Sequence, residues 1–262
     1  VMTYCLGMLL DAGLVLIADT RTNAGVDNFS CYKKLHCLAE GPDRQVFAAS
    51  SGSLSVSQSV IALLEEGLPP EDKEEAPRRL AAVTSMFRAA QLVGEAVQII
   101  NRKVGAALEA IHINSSVSFL LGGRIGEESP RLFLIYAAGN FIECQPDSPF
   151  LQIGETKYGR PILDRSVDME MPLPDAVKIA FLSFDSAMRS NLGVARPLDM
   201  VVMARDRSLP LLTRRIEPDD EYFNDMSLRW ARMLHQATLT IPDPPFMVGY
   251  GGEEQQRGRG AA

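Results

Sequence analysis

Thr3-Tyr4-Cys5-Leu6-Gly7-Met8-Leu9-Leu10 is an apolar run that stops at Asp11-Ala12-Gly13, and Leu14-Val15-Leu16-Ile17-Ala18 runs back to Asp19. Two apolar runs on either side of an Asp/Gly turn read as a β-hairpin. Two short strands are not stable alone, so the hairpin needs further partners. Residues 32–38 and 45–49 are the strand candidates, separated by the turn sequence Glu40-Gly41-Pro42-Asp43.

Beyond Ser50-Ser51-Gly52 the apolar period changes from strand-like to helical. Val56, Val60, Ile61, Leu63 and Leu64 define one helix ending before Leu68-Pro69-Pro70. The charged stretch from Glu71 to Arg79 reads as a solvated linker and the first turn of the next helix. A second, long helix is expected over 77–108, with Leu80, Val83, Phe87, Val93, Val97, Ile100, Val104 and Leu108 at three-to-four residue spacing. Strand character returns at 117–125, 131–137, 141–144 and 150–153. Residues 161–163 are a further short run that, with 150–153, flanks a segment bounded by Gly154 and Gly159, and no helix is expected there. A helix over 174–190, strands at 200–204 and 210–214, and a helix over 220–237 complete the series. This order is not the strict β-α-β alternation of a doubly wound sheet. It suits an α+β fold, a four-layer αββα sandwich of two stacked antiparallel sheets flanked by helices. We expect one domain over residues 1–241 and a mobile Pro-, Gly- and Arg-rich tail over 242–262.

Composition narrows the function. The 262 residues carry a formal charge of -7, which argues against a general nucleic-acid binder. No apolar stretch approaches the length of a membrane span, and no signal-type segment precedes the first strand. The four cysteines show no paired spacing and fit reduced thiols in the cytoplasm. His36, His112 and His235 are far apart, so no metal site and no cofactor is expected.

Thr3 is the residue with the most chemistry. A threonine hydroxyl is a weak nucleophile unless a base adjoins it. Were Thr3 amino-terminal, its own α-amine, with a reference pKa of roughly 7.7–8.0, could accept the hydroxyl proton. Asp19 ends the second strand of the hairpin, and Lys34 belongs to a Lys33-Lys34 pair. An ammonium beside Thr3 favours the ionised oxygen, and Asp19 could hold that ammonium in place. An Asp at a strand end equally caps a turn, and a Lys pair equally guards a sheet edge. Spacing alone does not choose.

The chain resembles the proteasome-type peptidases of the N-terminal nucleophile hydrolase superfamily, most closely the bacterial ancestral β-subunit (Anbu) group. The likeness is carried by Thr3-Tyr4-Cys5-Leu6-Gly7, Ile17-Ala18-Asp19-Thr20-Arg21-Thr22-Asn23-Ala24-Gly25, Lys33-Lys34-Leu35-His36 and Phe47-Ala48-Ala49-Ser50-Ser51-Gly52. It continues in Ile153-Gly154-Glu155-Thr156-Lys157-Tyr158-Gly159 and Met188-Arg189-Ser190-Asn191-Leu192. The resemblance implies that Thr3 is nucleophile and base, with Asp19 and Lys34 completing the catalytic set. It also implies an oxyanion donor at the Ala49 N–H, with Asp185, Ser190, Asn191 and Glu155 in supporting positions. Lys34 is preferred to Lys33 by the family pattern, and because neighbours on a strand face opposite ways.

Three positions depart from the family. Ala49 stands where glycine is usual, Glu155-Thr156-Lys157 replaces small residues, and Val1-Met2 precedes Thr3 and blocks its amine. The resemblance implies a threonine peptidase acting within a homo-oligomer, a ring or a helical stack, on a peptide or small amide. It leaves open whether an ATPase partner exists. Two rivals stand beside it: a self-assembling scaffold with weak or no peptidase activity, and an amino-terminal-threonine amidase for a small amide.

Overall fold

A computed structural model describes residues 3–23, 29–70, 76–247 and 250. The chain opens with β1 (Tyr4–Leu10) and β2 (Gly13–Asp19), the hairpin read from sequence, and then β3 (Arg21–Asn23) and β4 (Phe29–Cys31). Next come β5 (Leu35–Gly41), β6 (Arg44–Gly52), α1 (Leu54–Glu66) and α2 (Met86–Ala110). The strands β7 (Val117–Ile125), β8 (Arg131–Ile135), β9 (Phe141–Glu143) and β10 (Phe150–Gly154) follow. The last elements are α3 (Arg160–Ser166), α4 (Leu173–Ser190), β11 (Leu198–Ala204), β12 (Leu212–Ile216) and α5 (Glu221–Thr240).

Two five-stranded antiparallel sheets result, ordered β10-β1-β2-β11-β12 and β5-β6-β7-β8-β9. β3 and β4 form a separate two-stranded ribbon. Period-two alternation assigns the faces. Phe47 and Ala49 of β6 and Leu120 of β7 turn toward Leu14, Leu16 and Ile153 of the first sheet and form the layer between the sheets. Val46, Ala48, Phe119 and Leu121, one residue out of step, turn the other way and pack on Val60, Leu64, Ala90 and Val97 of α1 and α2. α4 covers the outer face of the first sheet, where Phe184 stacks on Tyr4 at 4.3 Å between ring centroids. The four layers are α, β, β and α, as the sequence implies. Contacts divide the chain after Asp220 into two units, and α5 belongs to the second.

Four local expectations are corrected. The hairpin's sheet partners are β10 and β11, not the strands after residue 32, which belong to the other sheet. The long helix does not begin at 77. A short 3-10 turn at Leu80–Ala82 intervenes, and α2 starts where the Ser85 side chain accepts the Arg88 N–H. Residues 161–163 are helical because Pro161 sits in the first turn of α3, where its missing N–H costs nothing. Lys33 and Lys34 lie in the extended link before β5 rather than inside a strand. Val1, Met2, the linker at 71–75 and most of the tail after Pro242 lie outside the described residues.

Candidate active site

The site begins where β1 begins. Tyr4 is fixed beneath α4: its hydroxyl lies 2.7 Å from Ser183 Oγ and accepts from Gln152 Nε2 at 2.6 Å. Its backbone N–H donates to Asp19 Oδ1 at 3.0 Å. Thr3, one residue earlier, is only 6 % exposed. Its carbonyl accepts the Glu155 N–H at 2.6 Å. That close approach requires glycine at 154: its φ is +84°, and a Cβ there would lie 2.1 Å from the Thr3 carbonyl oxygen.

Asp19 and Lys34 form a buried ion pair, Nζ to Oδ1 2.8 Å, with the residues 0 % and 4 % exposed. Lys34 Nζ also donates to the Arg21 carbonyl. One carboxylate oxygen therefore receives both the Lys34 ammonium and the N–H that follows Thr3. Burial pushes the Asp19 carboxyl up to about 6, against the opposing pull of Lys34. A charge so deep is costly to desolvate and persists only when well paired.

Thr3 and Lys34 open on one cavity of about 490 Å³. Thr22, Ser50, Ser51, Gly52, Ser53, Leu54, Ser57, Asn114, Ser116, Ser118 and Gly154 complete its lining. The structure brings the Thr3, Asp19 and Lys34 side of the expected set together.

Ala49 is displaced from the role expected of it. It is fully buried among the residues between the sheets and does not line the cavity. Ladder alternation gives the reason. Ser50 N–H donates to the Lys34 carbonyl, so Ala49, facing the opposite way, directs its N–H at Leu120 of β7. A donor spent in the sheet cannot hold an oxyanion. Three residues on, Gly52 points its N–H toward the side where β5 has ended, and Gly52 lines the cavity. Its φ of +111° and a Cβ position 2.2 Å from the Ser116 carbonyl both demand glycine.

The remaining expected residues fall into a latch and a flank. The Glu155 carboxylate accepts Lys157 N–H at 2.8 Å and the Asn191 side-chain amide at 2.9 Å. Partial burial alone raises that carboxyl, but the bonds from Lys157, Asn191 and Tyr158 hold it below the usual carboxylate range. Asn191 also caps the end of α4, so the helix end, Glu155 and the Thr3 carbonyl are tied in series. Asp185 is buried and accepts Arg189 Nε at 3.0 Å. Ser190 is exposed, and among the described residues its hydroxyl makes no hydrogen bond to Thr3. No metal-binding cluster of His, Cys, Asp or Glu occurs among the described residues. Sequence reading missed the hydroxyl lining, whose signal was the density of serine at the ends of β6 and β7.

Two stacked antiparallel sheets between helix layers, with the buried Asp19–Lys34 pair at the start of the first strand, define the proteasome-like N-terminal nucleophile fold. No family model and no curated protein matches the chain, but solved structures do. Anbu from a Hyphomicrobium strain is 42% identical with a TM-score of 0.80, covering 92% of this chain and 99% of its own. The helical assembly of the Anbu complex from Pseudomonas aeruginosa is 39% identical with a TM-score of 0.84, over 92% and 98%. Anbu (ancestral beta-subunit) from Yersinia bercovieri is 37% identical with a TM-score of 0.81, over 92% and 98%. The chain belongs to the Anbu family.

Proposed function

We propose that the protein is a threonine-type N-terminal nucleophile hydrolase that cleaves peptide bonds within a self-assembled homo-oligomer. The observation that carries this reading is the buried Lys34–Asp19 pair: Lys34 lines the same cavity as Thr3, and the Asp19 oxygen that holds Lys34 also accepts the Tyr4 N–H of the first strand. In this reading Thr3 Oγ1 attacks the amide carbonyl carbon while its proton passes to the Thr3 α-amine, freed by removal of Val1 and Met2. Lys34 favours the ionised oxygen, and Asp19 fixes Lys34. The Gly52 N–H takes the place given to Ala49 and receives the charge developing on the carbonyl oxygen. The C–N bond breaks as the amine leaves with the transferred proton, and water then hydrolyses the Thr3 ester.

The relative from Pseudomonas aeruginosa forms a helical assembly, which supports a homo-oligomer here. Cytoplasmic residence fits the free thiols of Cys5, Cys31, Cys37 and Cys144, and no helix among the described residues is long and apolar enough to cross a membrane. One observation favours the second reading, a scaffold of weak or no activity: Ser190, expected in a supporting position, is exposed and among the described residues makes no bond to Thr3. Intact mass spectrometry before and after a threonine-directed epoxyketone separates the two. A covalent adduct at an amino-terminal Thr3 supports the hydrolase. Assembly with a free Thr3 amine and no adduct supports the scaffold.

A further inference from the structure

The cavity beside Thr3 has an unusual wall. Six of its lining residues are serines, no carboxylate borders it among the described residues, and its cation, Lys34, is committed to Asp19. Leu54 is its one large apolar side chain among the described residues.

The backbone explains how hydroxyls from different layers meet. Ser51 and Ser118 are cross-strand partners of β6 and β7. Both continue the face of Ala49 and Leu120, so both turn toward the first sheet, where Gly154 and Thr3 lie. Ser50 continues the opposite face and turns toward α1, which contributes Ser57. Gly52 carries no side chain, so the space runs past the end of β6 and joins the two faces. Among the described residues no hydrogen bond within the protein occupies the hydroxyls of Ser50, Ser51, Ser116 or Ser118, whereas Ser57 donates to the Leu54 carbonyl. Several free donor–acceptor groups thus border one cavity, in walls where an apolar ligand would strip them of water without replacing it.

We infer that this cavity is a specificity subsite for an acyl group bearing an uncharged, hydrogen-bonding side chain, of the amide or hydroxyl type found in Gln, Asn, Ser and Thr. The inference rests on the reading of Thr3 as nucleophile and names the substrate class of that site. An amide side chain both donates and accepts, and so satisfies the serine hydroxyls and the Asn114 Nδ2 together, Asn114 Oδ1 already accepting the Ser116 N–H. A Leu or Phe side chain leaves them unpaired, and a carboxylate or ammonium finds no counter-charge to replace its water. Sites built to hydrogen-bond a substrate group discriminate against analogues lacking it far more strongly than apolar sites discriminate by size.

The test uses peptidyl vinyl sulfones identical except for the side chain next to the electrophile: Gln, Leu, Phe, Asp and Lys. Thr3 Oγ1 adds to the vinyl carbon, its proton ends on the neighbouring carbon, and nothing leaves, so intact mass rises by the whole probe. The protein is the assembled chain with its amino terminus confirmed at Thr3. The Gln probe is expected to label Thr3 at least about 10-fold faster than the Leu probe. Ser118→Ala and, independently, Ser50→Ala should each narrow that ratio about threefold or more. Equal or faster labelling by Leu or Phe overturns the subsite while leaving Thr3 a nucleophile. A Gln preference unmoved by both serine variants removes the assignment to this cavity. Absence of label on Thr3 from every probe overturns the subsite together with the nucleophile it rests on.

Discussion

A single carboxylate organises the start of the first strand. Asp19 Oδ1 accepts both Lys34 Nζ and the Tyr4 N–H, so losing either side chain of the ion pair affects fold and chemistry together. Lys34→Met leaves a buried carboxylate without its counter-charge. It should destabilise the protein by about 3–5 kcal/mol, read as a fall in the chemical denaturation midpoint, and abolish capture of electrophiles at Thr3. The pH dependence follows from the Asp19 carboxyl, raised by burial to about 6. Between an unfolded value of roughly 3.9 and that folded value, the native state holds a proton that the unfolded chain has released. This group's contribution to stability therefore falls as pH rises through that window and levels off above it. Reactivity of Thr3 is expected to run the opposite way, because a neutral Asp19 no longer fixes Lys34. The labelling rate should drop as pH falls through about 6 while circular dichroism still reports a folded protein.

At the scale of elements, turns and caps place Thr3. The loop after β10 holds the Thr3 carbonyl through the Glu155 N–H, and Gly154 leaves room for it. Gly154→Ala forces Thr3 to move, and a displacement of about 1 Å at a reacting group costs on the order of 100-fold in rate. We expect a loss of that size in Thr3 labelling with the oligomer intact by ultracentrifugation. α2 offers a control remote from the site. Ser85→Ala removes the side chain that accepts the Arg88 N–H and should cost about 1 kcal/mol in thermal or denaturant unfolding. Labelling of Thr3 should be unchanged.

Across the whole molecule, the proposed site is expected to be separable from the proposed assembly. Thr3→Ala deletes one hydroxyl and one methyl from a cavity wall and touches no sheet pairing, since β1 begins at Tyr4. The variant should sediment as the unmodified protein does while taking up no electrophile. A change in particle size would show that the start of the first strand also serves assembly. The four-layer architecture supports this division, because the second sheet packs on α1 and α2, the first on α4 and the two on each other, all within the unit that ends at Asp220.

Much of this architecture is legible in the chain itself. The hairpin of β1 and β2, the helices α1 and α4 and the strands β7 to β9 follow from apolar period and turn chemistry, which are local. The pairing of Thr3 with Asp19 and Lys34 came from family resemblance, since spacing alone left a turn cap and an edge lysine as equal readings. Tertiary structure decided the rest. Which strands flank the hairpin depends on contacts across more than a hundred residues, and β10 and β11 rather than β5 and β6 take that place. Whether Ala49 or Gly52 offers a free N–H depends on ladder register, where one residue reverses the direction of every donor. The serine-lined cavity exists only because β6, β7 and α1 meet there, so no single stretch of sequence contains it.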